Sequence, residues 1–259
     1  MPGPHPDISL IIHSIIGIPI VNSGDDLAEL IVGALSAGDF TLQDGDVCVV
    51  AQKIVSLAEG RKVRLDDVQV STTAEKLAAQ TEKDPRLVEL ILQESEEVVR
   101  SKPGVIITRH RLGLVGANAG IDQSNIQHDN GECALLLPEQ PDQSARSLRN
   151  ALQEKTGRNV GVVICDSMNR PWRLGTIGTA IGSAGIDVLD DRHGDPDLHG
   201  RELRVTLSNR ADAIAAAAVL IMGEASECTP AVILRGFPAE DSTQVARDCI
   251  RPAAEDLFL

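Results

Sequence analysis

The stretch Val163-Ile-Cys-Asp166-Ser167-Met-Asn-Arg170-Pro-Trp172-Arg173 carries an apolar, β-branched run straight into a carboxylate, a hydroxyl and two guanidiniums. Such a run predicts a buried strand, and polar groups at its mouth sit where open α/β sheets usually take their ligands. The plainer reading of Asp166-Ser167 is a turn. Two other segments set oxygen-bearing residues beside glycine or small residues: Ala117-Asn118-Ala-Gly-Ile-Asp122-Gln-Ser-Asn125 and Met222-Gly223-Glu224. If the fold gathers all three, the carboxylates of Asp122, Asp166 and Glu224 and the hydroxyl of Ser167 form a hard-oxygen site suited to magnesium or manganese bridging phosphates. Spacing alone leaves the turn reading open, because Asp and Asn in glycine-rich loops are common turn formers. Zinc fits less well, since the His residues show no paired spacing and the thiols no finger spacing. Neither a G-x-x-x-x-G-K-S/T loop nor a strand-to-helix G-x-G-x-x-G occurs, so a phosphate site must be built another way.

The elements that must position these groups alternate between strand and helix patterns. A strand is predicted near Ile8 to His13, then an extended Gly17-Ile-Pro-Ile20 in which Pro19 disfavours helix at Ile18. A helix capped by Ser23 or Asp25 follows, its apolar face made of Leu27, Leu30, Ile31, Ala34 and Leu35. Asp44-Gly-Asp46 turns into a strand, Val47 to Ala51. Helices are predicted over Thr72 to Gln80 and from Asp84-Pro85, the latter with a stripe of Leu87, Leu90, Ile91 and Val98 ended by Lys102-Pro-Gly104. Then come a strand at Val105 to Thr108, a glycine-punctuated stretch from Gly113 to Gly131, a helix from Asp142 to Lys155 and the strand Val160 to Cys165. Glycines 175, 178, 182 and 185 permit close backbone approach or form a small-residue packing face. A polar loop around Asp190 to Gly194, a helix from Arg210 to Ile221, a strand from Ala231 to Leu234 and a closing helix complete the reading.

Composition bounds the function. The 259 residues suffice for a large core, which Ile, Leu, Val and Ala must fill because there are three Phe, one Trp and no Tyr. A net charge of -14 opposes loose binding to nucleic acid or anionic membranes, so neither is expected as a partner. Five Cys without C-x-x-C spacing fit reduced thiols, with Cys48 and Cys165 as small core residues. Met1 to Asp7 lacks the basic flank of a secretory signal, and the apolar run Ile8 to Val21 is too short and interrupted to span a bilayer, so a cytoplasmic protein is expected. No internal repeat or linker stands out, and residues 1–259 read as one catalytic unit of mixed α and β with room for two subdomains.

Many short motifs, in order, carry a family resemblance. Gly17-Ile-Pro, Gly24-Asp-Asp-Leu27, Asp44-Gly-Asp46, Ala51-Gln-Lys-Ile-Val-Ser56, Ala58-Glu-Gly-Arg61, Lys83-Asp-Pro-Arg86, Glu89-Leu-Ile-Leu92 and Ala117-Asn-Ala-Gly120 resemble the coenzyme F420-0:L-glutamate ligases, or gamma-glutamyl ligases. Asp122 to Asn125, Arg170-Pro-Trp-Arg173, Ala180-Ile-Gly182, Gly200-Arg-Glu-Leu203, Met222-Gly223 and Leu234-Arg-Gly236 continue the likeness over nearly the whole chain. The resemblance implies an α+β fold of mixed sheets with helices, intertwined as a homodimer. It implies a GTP-dependent amide ligase that adds L-glutamate, and then further gamma-linked glutamates, to the deazaflavin F420-0 in coenzyme F420 biosynthesis. Divalent magnesium or manganese and a monovalent cation, potassium, are the implied ions. By motif position Asp122, Asp166, Ser167 and Glu224 hold the metals. Asn125, Gly17, Ile18, Pro19, Ile20, Gln52, Lys53, Met222, Gly223, Glu224, Ala225 and Ser226 contact or line the nucleotide. Asp122, Asp166, Arg170 and Arg173 are the catalytic candidates. The guanidiniums of Arg170, Arg173 and Arg201 suit paired hydrogen bonds to carboxylates or a phosphodiester, against a plainer role in surface ion pairs.

The sequence departs from the family pattern at three places. Leu57 stands where relatives carry Lys, Met168-Asn169 replaces Phe-Gly, and Glu224 replaces Gln. Lys53 is the nearest substitute for the cation lost at position 57. Two further readings stay open: a catalytically inactive nucleotide-binding relative, and a metal-dependent phosphohydrolase built on the same carboxylates.

Overall fold

The computed structural model describes residues 9–128, 131–237 and 242–256. Its elements are β1 (Ile11–Ser14), α1 (Leu27–Ala37), β2 (Val47–Ala51), α2 (Gln52–Ala58), β3 (Lys62–Arg64), α3 (Thr72–Thr81), α4 (Pro85–Gln93) and β4 (Ser95–Lys102). They continue with β5 (Val105–His110), β6 (Val115–Ala117), β7 (Cys133–Leu135), α5 (Pro141–Thr156), β8 (Gly161–Asn169), β9 (Thr176–Ala184), β10 (Leu189–Asp191), β11 (Leu207–Asn209), α6 (Arg210–Met222) and β12 (Ala231–Arg235). The expected mixed α+β class is observed.

The principal sheet has the order β1-β12-β2-β8-β9, with only β2 and β8 parallel. Its central strands are unbroken apolar runs because helices cover both faces. Cys48, Val50, Val162, Ile164, Ala231 and Ile233 pack on the side that receives Ile31, Leu35, Leu148 and Leu152 from α1 and α5. Val47, Val49, Val163, Val232 and Leu234 alternate onto the other side, against Ala211, Ile214, Ala215 and Ala218 of α6. A further apolar cluster joins α3 and α4 to Leu65, Ile106, Ala134 and Leu136.

The glycines of β9 are a packing face. A Cβ on Gly178 would lie 2.3 Å from the carbonyl oxygen of Ala215, and one on Gly182 would lie 2.4 Å from that of Pro141. Missing side chains therefore let α6 and α5 close on the edge strand from the two faces of the sheet. Cys48 and Cys165 are buried as expected, and all five cysteines are free.

Four expectations need correction. The cap of α1 is Asp26, which accepts from the N–H of Glu29, whereas Asp25 accepts from Asn22 upstream. The helix capped by Asp84 ends at Gln93, and Val98 lies in β4, paired with Thr108. Lys102-Pro-Gly104 is the turn of the β4–β5 hairpin, so β-branched Val98 finds a cross-strand partner in Thr108 in place of a helix. The strand expected to end at Cys165 runs on to Asn169, because β9 pairs with it all the way to Thr176. No closing α-helix forms among the described residues. Two short 3-10 turns, Ala246–Cys249 and Ala253–Glu255, flank Pro252, which has no N–H to give a helix. Ile8 and Met1 to Asp7 lie outside the described residues, as do Leu257 to Leu259.

Glu94, at the end of α4, is a buried anion shared by three bases. It accepts from Arg61 at 2.9 Å and Arg111 at 3.1 Å, and faces His110 Nε2 at 3.5 Å. Burial opposes its ionisation, but His110 and the two guanidiniums outweigh that and hold the carboxyl down at about 2. A folded-state value below the ordinary 4.5 means stabilisation that is complete above pH 4.5 and is lost as pH falls toward 2. Glu94→Gln is expected to cost on the order of 3 kcal/mol at neutral pH. Urea unfolding of the two proteins should converge near pH 2; a gap that persists there would refute this account.

Candidate active site

The oxygen-bearing segments meet where β2 ends and β8 runs on past it through Asp166 and Ser167. β2 passes without a loop into α2, which sets Lys53 in its first turn, two residues past the strand end. Its Nζ lies 2.7 Å from Asp122 Oδ2 and 3.3 Å from the carbonyl oxygen of Ser124. Asp122 is held in place through its backbone, which exchanges two hydrogen bonds with Leu135. Its other carboxylate oxygen accepts from the N–H and hydroxyl of Ser124. Asn125, in the left-handed region at φ 54°, donates to the carbonyl oxygen of Ala225 at 3.0 Å. On β8, the Ser167 hydroxyl donates to Glu224 Oε1 at 2.7 Å. These contacts tie the segment of Asp122 to that of Glu224, and Glu224 to β8.

Gly223 makes the approach of the Glu224 segment possible. It ends α6 at φ 73°, and a Cβ there would lie 2.2 Å from the carboxyl carbon of Glu227, whose Oε2 accepts from the N–H of Ala225. The positive φ favours glycine there, and a side chain would also displace the Glu227 carboxylate from the Ala225 N–H.

The electrostatics are uneven. Burial pushes the Asp166 carboxyl up to about 7, with Asp122 and Glu224 adding repulsion against the Ser167 N–H and Lys53. For Asp122 burial acts the same way, but Lys53 and Ser124 prevail and hold it below the usual carboxylate range. The site thus holds one paired carboxylate and one that is poorly compensated. Burial drives the neighbouring Cys165 thiol up to about 12, helped by Asp166 and Glu224, so it is no nucleophile at neutral pH.

The donors are all hard oxygens, and the under-compensated Asp166 is what a divalent cation would relieve. Asp122, Asp166, Ser167 and Glu224 therefore fit magnesium or manganese by chemistry. Among the described residues no three Asp, Glu, His or Cys side chains are already grouped to chelate an ion. Asp122 is engaged by Lys53, and the Ser167 hydroxyl donates to Glu224.

The other expected residues are placed less uniformly. Gly17, Pro19 and Ile20 are exposed in the loop after β1, while Ile18 packs on the main core. Gln52 turns inward, 2% exposed, and accepts from the Ser56 hydroxyl. Met222 is buried, and Ala225 and Ser226 are exposed. Arg170 lies on the β8–β9 connection with Nη2 3.5 Å from Asp212, and Arg173 is exposed at its tip beside Trp172, which is 82% exposed. Arg201 belongs to the separate arm between β10 and β11, and no contact among the described residues joins it to the carboxylates. Leu57 packs against the main core and Met168 lies under Gly116. Sequence reasoning missed Thr176, whose hydroxyl is 3.4 Å from Glu224, because only the β8–β9 register brings it there.

A family profile described as F420-0:gamma-glutamyl ligase matches residues 15–236. The chain is 48% identical over 242 residues to the coenzyme F420:L-glutamate ligase of Methanopyrus kandleri, covering 92% of this chain and 93% of that protein. To the enzyme of the same name from Methanothermobacter thermautotrophicus it is 46% identical over 93% of this chain and 96% of that one. The corresponding protein of Haloarcula marismortui is 40% identical over 92% of both. An oxygen-rich site at the strand ends of such a sheet, in a chain this close to those proteins, defines an enzyme of the class that forms carbon–nitrogen bonds. The chain belongs to the F420-0:gamma-glutamyl ligase family.

Proposed function

We propose that this enzyme attaches L-glutamate to the deazaflavin F420-0, and then further gamma-linked glutamates, at the expense of GTP. The observation that carries the reading is the convergence of Asp122, Asp166 and Glu224, with Lys53 among them, at the end of β2 and the outer half of β8. A free carboxylate does not acylate an amine, so the acceptor carboxylate first takes the γ-phosphoryl group of GTP, releasing GDP. The amine of glutamate then displaces phosphate from the acyl phosphate and loses a proton as the amide forms. Lys53 sets an ammonium beside the carboxylates, where it faces phosphate oxygens. Asn125 fixes the Ala225 backbone, so that Gly17 to Ile20 and Met222 to Ser226 line the nucleotide. Arg170 and Arg173 stand on the β8–β9 tip as carboxylate grips. Magnesium or manganese on Asp122, Asp166, Ser167 and Glu224 would neutralise charge on the phosphates, with potassium as an accessory ion.

A homodimer belongs to this proposal. Leu174 of the β8–β9 tip is 104% exposed, and Leu198 and Val205 of the β10–β11 arm are each 86% exposed, apolar surface that a second copy would cover. Among the described residues no helix is long and apolar enough to cross a membrane.

Mass spectrometry of F420-0 incubated with glutamate, GTP and magnesium tests the reading, and a product heavier by one glutamate residue is the expected result. Phosphate released without a new amide would instead identify a hydrolase, and GTP left intact would identify an inactive relative.

A further inference from the structure

A cavity of about 750 Å³ lies against the edge strand β9, between the N-terminal turn of α5, the β5–β6 turn and the segment Val245 to Ile250. None of the ligase residues proposed above lines it. Its floor is apolar, made by Leu112, Leu114, Ile181 and Ile250, and three guanidiniums from three separate elements stand around it: Arg111, Arg146 and Arg247. In a chain of net charge -14 that concentration of positive charge stands out. The two carboxylates at the rim are already satisfied. Asp142 accepts the backbone N–H groups of Ser183, Ala246 and Arg247, and Glu139 is 3.2 Å from Arg61. Arg111 is shared with Glu94, but among the described residues no side-chain partner engages Arg146 or Arg247. Two unengaged guanidiniums above an apolar floor select an anion attached to an apolar body.

We infer that this cavity binds a small organic oxyanion, a carboxylate or phosphate carried on an apolar or aromatic group, at a site separate from the carboxylate cluster. Its volume falls in the range of small-molecule sites, roughly 300–1,000 Å³. The inference goes beyond the ligase reading and does not depend on it.

Calorimetric titration of the full-length protein, without divalent cations, with phenyl phosphate and inorganic phosphate as probes, tests it. Phenyl phosphate should bind at least about fivefold more tightly than the bare ion, because only it fills the apolar floor. The double variant Arg146→Gln/Arg247→Gln should weaken phenyl phosphate at least about tenfold, the loss of roughly 1.4 kcal/mol expected when charge-assisted bonds are removed. Both residues are exposed, so the fold should survive, as circular dichroism would verify. GTP affinity measured in magnesium should change less than about twofold. Phenyl phosphate that fails to bind the wild type, or binds the double variant equally well, overturns the inference. A chain that binds the probe as described yet forms no amide would sink the ligase reading and leave this site standing.

Discussion

Asp166→Asn is expected to lower glutamate incorporation by at least about 100-fold while leaving the folded protein as stable as the wild type or more so. The carboxylate is half-buried on β8, repelled by Asp122 and Glu224, and compensated by little more than the Ser167 N–H and a distant share of Lys53. An amide of the same shape removes a desolvated charge and both repulsions, so the native state gains. The reaction loses the anion that would hold a cation against the phosphates, a contribution of several kcal/mol in comparable sites. Opposite signs for stability and activity are the signature of a group kept for chemistry at the expense of the fold. The check is incorporation of labelled glutamate beside a thermal melt of the same preparation. A variant that melts earlier and keeps its activity would make Asp166 a structural residue and remove the centre of the proposed site.

Arg235→Ala should have the largest effect on stability, about 3 kcal/mol or more. Asp46 is 1% exposed, and both its carboxylate oxygens take hydrogen bonds of 2.7 Å from Arg235, across 189 residues of sequence. The guanidinium also lies 4.8 Å from the centre of the Phe40 ring and donates to the carbonyl oxygen of Thr41. Truncation strands a buried carboxylate that, among the described residues, keeps only the Gln43 N–H to accept from, which is the costly half of a buried pair. Asp46→Asn in the Arg235→Ala background should recover part of the loss, since a neutral amide needs no counter-charge. Guanidinium chloride unfolding of the two singles and the double measures the coupling. A loss under about 1 kcal/mol would rank the pair with ordinary surface ion pairs.

The Asp46–Arg235 pair also shows what several family motifs are for. Asp44-Gly-Asp46 and Leu234-Arg-Gly236 read as separate motifs, and in the fold they are two halves of one tie between β2 and β12. Lys83-Asp-Pro-Arg86 caps α4 through Asp84, and its Arg86 bridges Asp66 and Glu132. Arg61 locks Glu94 and the carbonyl oxygen of Leu137. Such residues belong to the architecture, so the resemblance they carry is a statement about fold as much as about chemistry.

Unbroken apolar runs at Val47 to Ala51 and Val160 to Cys165, the Asp84-Pro85 helix start and the three oxygen-bearing segments were all legible along the chain, because each depends on neighbours a few residues away. The family was legible for the same reason, as a succession of short local patterns. The ends of elements were less so: Glu94 to Lys102 has the composition of a helix, and pairing with β5 makes it a strand. The Lys53–Asp122 and Ser167–Glu224 contacts, the inward turn of Gln52 and the raised Asp166 carboxyl were decided only by tertiary structure. Charge coupling and burial depend on distances between residues far apart in sequence. Those distances are set by strand register and by the glycine gaps that let α5 and α6 close on β9.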